Sequence, residues 1–445
     1  MQEYYYDVIV CGGGPAGIAA ALAASRAGAR TLLLESNPYV GGCAASGLPF
    51  IDFYSGRYEQ IIRGSAQELI GRLVQENACL GHIKTSQGHI HSITMLDPEW
   101  VKICAEQMLL EAKCSILYHS FVAGAITEGN RVKGVLVANK AGISRYLAGC
   151  VIDCTGDGDV AAFSGAAFEK GRPSDGFMQA MSLLFRLVNV DVESFGKNFH
   201  ENPIIAQPFG ADHMYNVHLS GTLEPWDELI LKEGVFDHPR HNFWAGTCRD
   251  HELTYVNTVR VTGLDPTDPV QLSEAEMEGR RQMTRLLKFF NKHVPGLEHA
   301  YAASVQNGIG IRESRRIVGE YTLTGEDVLE GRHFADGVCK NGYCIDIHDP
   351  KGKGWNARQI TSPEKCYDIP YRCLVPAQTD GLLVAGRCIS ATHEALGSVR
   401  IMAPCMGTGQ AAGTAAAMAV SEKKDVRDID TAALRTALQK ADVLL

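Results

Sequence analysis

The sequence predicts an α/β fold: a central parallel sheet with flanking helices and a β-meander, interrupted by a second, α+β domain. Three observations lead there. The chain opens with a strand, a glycine-rich turn, an Ala-rich helix and a second strand. Between Phe121 and Val151, three strand-type runs are separated by short turn signals. With 445 residues, 45% apolar and 21% charged, the chain has globular composition and enough length for two or three domains.

In chain order, Val8-Ile9-Val10-Cys11 is a buried-type strand that stops at Gly12-Gly13-Gly14-Pro15-Ala16-Gly17. Residues 18–30 have helical propensity, and Thr31-Leu32-Leu33-Leu34-Glu35 reads as the next strand. This is a βαβ unit with a GxGxxG turn. Gly12 makes the turn tight, Gly14 admits a pyrophosphate against the backbone, and Gly17 lets helix and sheet pack closely. The pyrophosphate would rest on the free N–H groups of the helix start, beside Pro15 and Ala16. Glu35, roughly 20 residues past Gly12, is placed to accept ribose hydroxyls and favours a ribose without a 2′-phosphate. The motif alone leaves FAD and NAD open.

The meander strands are 121–127, 131–139 and 144–151, split by Glu128-Gly129-Asn130 and Lys140-Ala141-Gly142. The middle of the chain holds a Pro-bounded loop over 201–226, three of the four tryptophans (Trp226, Trp244, Trp355) and a long helix from Ser273 to Lys292. Ser273 and Glu276 have capping-box spacing at its start. Late in the chain, 381–387 reads as another apolar strand, and Met406 to Gly413 opens a helix. No second dinucleotide turn follows a strand in the middle region, so a built-in NAD(P)H domain is not expected.

A formal charge of −9 disfavours nucleic acid as a partner. The N-terminus lacks the basic and apolar regions of a signal peptide, and the richest apolar run, Ala411 to Val420, is too short to span a bilayer. The expectation is a cytoplasmic protein without a membrane partner. Fourteen cysteines contain no CxxC pair. Cys339, Cys344, Cys366 and Cys373 have the spacing C-x4-C-x21-C-x6-C, which fits no usual zinc or iron–sulfur pattern. Reduced, buried thiols and no metal are expected.

With Gly41-Gly42 just after the ribose acid, residues 7–42 resemble the FAD-binding unit of the glutathione-reductase-like flavoproteins. Val151-Ile152-Asp153-Cys154 ending in Thr155-Gly156-Asp157 is similar to the second FAD strand of that class, and Gly381 to Arg387 to the third. The runs 310–317, 346–350, 367–372 and 387–396 resemble the bacterial FAD-dependent oxidoreductase family, related in layout to fumarate-reductase-like flavoproteins. The resemblance covers nearly the whole chain. It implies an FAD-binding Rossmann-like domain over 1–165 and 375–445, with an α+β cap or substrate domain over 166–374. It implies FAD contacts at Gly12, Gly14, Pro15, Ala16, Gly17, Glu35, Gly41, Gly42, Thr155, Gly156, Asp157, Gly386, Arg387, Gly407, Thr408 and Gly409. Arg387 departs from the class, which has an acid there; a guanidinium can neutralise pyrophosphate. Cys43 follows the glycine pair without the partner cysteine of disulfide reductases.

Flavin chemistry on a small molecule needs a positioned substrate, a proton donor or acceptor, and cations for substrate oxygens. His393 lies six residues past Arg387, as the substrate-contacting His of fumarate-reductase-like proteins follows their acid. It is the first catalytic candidate, with a structural His bonded to backbone or Glu394 as the alternative. Arg400 is placed to clamp a substrate carboxylate or hydroxyl. Arg312 and Arg316, at i,i+4 on a helix, would share an anion, or else pair with Glu313 and Glu320. His348, between Asp346 and Asp349, is either a proton-transfer group or a turn residue. The expected function is hydride transfer between FAD and a small polar substrate, with an unidentified electron donor or acceptor and an undetermined oligomeric state. The alternatives are an FAD-bearing electron-transfer component of a multi-protein redox complex and, less favoured, a tRNA-modifying flavoprotein.

Overall fold

The computed structural model describes residues 2–85, 89–197, 204–209, 214–222, 226–236, 242–351 and 354–445. The first strand, β1 (Glu3–Cys11), enters α1 (Pro15–Arg26) through the glycine turn and continues to β2 (Thr31–Leu34). β1 pairs in parallel with β2, and β2 with Ser115–Leu117. On its other side β1 pairs in parallel with Gly142–Asp153. That strand is 12 residues long, and its two ends do different work. Its first half closes the antiparallel meander with Arg131–Asn139, while Val151, Ile152 and Asp153 pair in parallel with Leu382–Val384. Sequence reading divided it near Val151; the backbone runs through unbroken.

Glycine sets how closely these layers pack. A Cβ on Gly17 would lie 1.7 Å from the Gly12 carbonyl oxygen. On the helix Met402–Glu422, Cβ atoms on Gly409 and Gly413 would each lie 2.1 Å from carbonyl oxygens of α1, those of Ala16 and Ala20. The two helices therefore touch backbone to backbone.

A six-stranded antiparallel sheet forms the second layer system, in the order 204–209, 214–222, 242–249, 252–256, 185–188, 301–305. The stretch 201–226 thus contains a hairpin rather than a loop; residues 201–203, 210–213 and 223–225 of it lie outside the described residues. Against this sheet lies a helix over Pro269–His293. Its start is one turn earlier than Ser273, because Asp268 caps it, accepting from the N–H groups of Val270 and Gln271 at 2.9 Å, and Pro269 occupies the first turn without losing a bond. Ser273 instead donates to the Pro269 carbonyl at 2.7 Å.

Among the described residues two large apolar cores result, with two small clusters around Tyr343 and Tyr255 beside them. One gathers residues from Val8 to Ala166 and again from Ile317 to Val443; the other runs from Met181 to Ile309. Ile317, Leu323, Val328 and Val338 belong to the first core, so the chain rejoins it near Ile317, earlier than residue 375. Among the described residues no helix is long and apolar enough to cross a membrane.

Candidate functional site

A cavity of about 540 Å³ begins at the glycine turn and ends between the two cores. Its first section is lined by Gly12, Gly14, Pro15, Ala16, Glu35, Thr155, Gly156 and Asp157. Gly14 stands before α1 with φ −71° and ψ −175°, and a Cβ there would meet nothing within 4 Å. The helix start therefore presents free N–H groups to an open space, the arrangement that binds a diphosphate. Glu35 is held by the N–H of Gly13 at 2.7 Å and by Asn37, whose backbone and side-chain nitrogens each donate at 2.8 Å.

The middle section is walled by Gly42, Cys43, Gly386, Arg387, Met402 and Cys405. Arg387 donates to Asp157 at 2.9 Å and to Ser314 at 2.7 Å. Burial alone would lower its pKa, but Asp157 outweighs this and raises it. The last long helix starts at Met402, with Pro404 in its first turn. Its N-terminus is one turn earlier than Met406, so Met402 and Cys405 face the cavity. Gly407, Thr408 and Gly409 do not line it: Thr408 accepts from the N–H of Gly386 at 3.2 Å, and Gly407 packs where a Cβ would lie 2.4 Å from the Cys339 sulfur. Gly17 and Gly41 likewise serve the backbone turn rather than the wall.

The far section lies against the six-stranded sheet. It is lined by Trp244, Tyr255, Asn257, Arg312, Tyr343, Asp346, His348 and Arg400 among others. Asp346 is buried and accepts from Tyr343 Oη at 2.9 Å and Arg400 Nη2 at 2.9 Å, with His348 Nε2 at 3.4 Å. Burial alone would raise its pKa, but His348, Arg400 and the Tyr343 hydroxyl hold it well below the usual carboxylate range. His348 is lowered to about 3, first by burial and then by Arg312 and Arg400, against the pull of Asp346. An ionised carboxylate beside a neutral imidazole is the stable combination where two guanidiniums face both groups. Arg312 is lowered to about 9 by burial, Arg400 and Arg260. It donates to the Ala180 carbonyl at 2.6 Å, to Ser182 Oγ at 2.7 Å and toward Asn257 Oδ1 at 3.5 Å.

The structure thus brings Arg312, His348 and Arg400 together and separates His393 and Arg316 from them. Residues 315–317 form a strand paired with 168–170, not a helix, so the i,i+4 relation between Arg312 and Arg316 does not exist. Arg316 is buried against the Ala391 and Gly171 carbonyls, each at 3.0 Å, and ion-pairs with Glu313. His393 Nδ1 lies 2.9 Å from the same carboxylate. Neither side chain reaches the cavity wall. Sequence reading missed Tyr343, Asn257 and Trp244 as wall residues. They come from separate strands and turns with no spacing that marks them as a set. All fourteen cysteines are free, and thirteen are buried. Burial pushes the thiols of Cys339, Cys344 and Cys373 up, and that of Cys366 up to about 11. No group of three or more His, Cys, Asp or Glu among the described residues is arranged to hold a metal ion.

A glycine turn on a βαβ unit, a ribose acid and an elongated cavity ending at a polar chamber define a dinucleotide-binding redox protein. Residues 7–438 match the family described as FAD dependent oxidoreductase, and the chain belongs to it, with FAD as the cofactor. Thiamine thiazole synthase of Aeropyrum pernix is 33% identical over 132 residues, which is 29% of this chain and 43% of that protein. An opine oxidase component of Rhizobium meliloti is 58% identical over 38 residues, 8% of this chain and 7% of that protein. The chain therefore spans less than half the length of these curated relatives. Among solved structures, a geranylgeranyl bacteriochlorophyll reductase-like protein from Thermoplasma acidophilum is similar at 15% identity and TM-score 0.45, covering 99% of this chain and 83% of that one. A p-nitrophenol 4-monooxygenase from Pseudomonas putida is similar at 14% identity and TM-score 0.45, covering 99% and 84%.

Proposed function

We propose that this protein is an FAD-dependent enzyme that oxidises or reduces a small polar organic molecule bound in the far section of the cavity. FAD, when bound, supplies hydride transfer at N5. The observation that carries the reading is the convergence of Arg312, His348 and Arg400 on one chamber continuous with the dinucleotide cradle.

Each residue has a task its environment fits. His348 is neutral, and Asp346 faces its Nε2. A carboxylate accepts, so the proton belongs on Nε2 and Nδ1 is left to take a proton from a substrate hydroxyl or amine. Arg400, held by the Asp346 carboxylate and by its backbone carbonyl at 3.3 Å, has an orientation fixed before substrate arrives. Trp244 and Tyr255 supply aromatic walls to the same space.

The reading is tested by loading purified protein with FAD and screening small metabolites for anaerobic bleaching of the flavin absorbance. Bleaching by one chemical class supports it. Absence of FAD uptake, or an oxidised flavin that no class bleaches together with a chemically reduced flavin that no class reoxidises, sinks it. Co-purification with an iron–sulfur protein, with no small molecule turned over, would favour the electron-transfer alternative.

A further inference from the structure

The chamber contains more fixed positive charge than its acids neutralise. Arg312 and Arg400 line it, and the guanidiniums of Arg400 and of buried Arg260 both act on Arg312. Arg400 is paired with Asp346 at 2.9 Å. Arg260 donates to the carbonyls of Asp349 and Gly354 at 2.8 and 3.1 Å. Arg312 has only neutral partners: a carbonyl, a hydroxyl and an amide oxygen. Among the described residues it forms no ion pair, although it shares the cavity wall with Arg400 and feels the charge of buried Arg260.

A buried cation without a counterion is costly and is retained where an anion is to arrive. The hydrogen bonding shows the same surplus. The Nε atoms of Arg400 and Arg260 are buried and bonded to nothing, so this arginine set has donors to spare as well as charge. Asp346 acts on Arg312 as well as on Arg400, but one carboxylate, already accepting from Tyr343 and Arg400, cannot neutralise both guanidiniums.

We propose that the ligand of the far chamber is an organic carboxylate, received by Arg312 with Arg400 at its side. This rests on the oxidoreductase reading of the site and adds the substrate's chemical class. A guanidinium presents paired N–H donors in a plane that matches the two oxygens of a carboxylate. Beside it, His348 is positioned to handle a proton on the same molecule without competing for its charge.

The experiment is a titration of FAD-loaded protein with acetate, succinate and benzoate, and with their neutral amides, at constant ionic strength, reading the flavin absorbance spectrum. At least one carboxylate is expected to perturb the spectrum saturably, with its amide at least tenfold weaker. Arg312→Gln is expected to weaken that carboxylate at least tenfold at unchanged flavin content, and Arg312→Lys to recover part of the loss. Equal response to acid and amide, or no response to any carboxylate, overturns the proposal. So does a carboxylate affinity unchanged in Arg312→Gln with a shifted flavin midpoint potential, which would assign Arg312 to the flavin itself. If the wild type takes up no FAD, the oxidoreductase reading fails separately. The same titrations followed by tryptophan fluorescence, with Trp244 in the chamber wall, then decide the carboxylate site in the flavin-free protein.

Discussion

His393 Nδ1 lies 2.9 Å from Glu313 Oε1, and that carboxylate also accepts from Arg316 and, through Oε2, from the N–H of Gln179 at 2.9 Å. Glu313 has no exposed surface. The arrangement joins the start of the helix His393–Val399 to the segment before strand 315–317. Removing a hydrogen bond to a buried charge costs about 2 kcal/mol. His393→Ala is therefore expected to lower the melting temperature by several degrees while anaerobic flavin reduction by an active substrate stays within about threefold of wild type. A loss of a hundredfold or more in that rate, with stability intact, would return His393 to the chemistry.

His348 is the residue expected to carry proton transfer. Removing a general base usually costs about 10²- to 10⁴-fold, so His348→Ala is expected to reduce flavin reduction on that scale and leave FAD affinity unchanged. Held to about 3 by burial and two arginines, His348 is already the unprotonated base throughout pH 5 to 8. The rate in that range should show no limb near the ordinary histidine value of about 6.5. A limb there that disappears in His348→Ala would contradict the assigned environment.

Two glycines separate folding from cofactor binding. Gly14→Ala places a methyl in open cavity on an ordinary backbone conformation, so the protein should fold with unchanged stability as the flavin-free form and bind FAD at least tenfold more weakly. In Gly409→Ala the methyl meets the Ala16 carbonyl oxygen at 2.1 Å, and α1 must move away. Overpacking of this kind costs about 3 kcal/mol. Melting curves and FAD titrations of the two variants should therefore differ in opposite respects.

Asp52 provides a pH test of stability. It is fully buried, and burial raises its pKa to about 7 even though the N–H groups of His91 and Ser92 donate to it at 2.6 and 3.1 Å. The folded state keeps its proton where the unfolded chain, with a value near 4, has lost it. This group's contribution is therefore complete below about pH 4, falls as pH rises, and is gone above about pH 7. Asp52→Asn keeps an accepting oxygen, and Asn tolerates the φ of +56°. Melting temperature against pH should show the variant gaining on the wild type from pH 4 to 7 by an amount on the order of 4 kcal/mol. A difference constant with pH would show that Asp52 is ionised in the fold.

Legibility differed along the chain. The unit from Val8 to Glu35 could be read because its glycines, apolar runs and acid all act within a few turns of one another. Gly12, Gly14, Pro15, Ala16, Glu35, Gly42, Thr155, Gly156, Asp157, Gly386 and Arg387, which the resemblance implies as FAD contacts, line the cavity. Helix starts were misplaced by one turn at Ser273 and Met406. In both cases a proline in the first turn, Pro269 or Pro404, marked the true start.

By itself, the sequence determined the class of protein: a dinucleotide turn is a local device, and local spacing specifies it. It also supplied Arg312, His348 and Arg400 as candidates. Only the tertiary structure decided which candidates meet. Arg312 and Arg316 are four residues apart, yet one faces the cavity and the other Glu313, because the backbone there enters a strand rather than a helix. The chamber draws its charge from chain segments near residues 312, 346 and 400. The sign of that charge depends on which acids lie within a few ångströms, a relation that spacing along the chain does not encode.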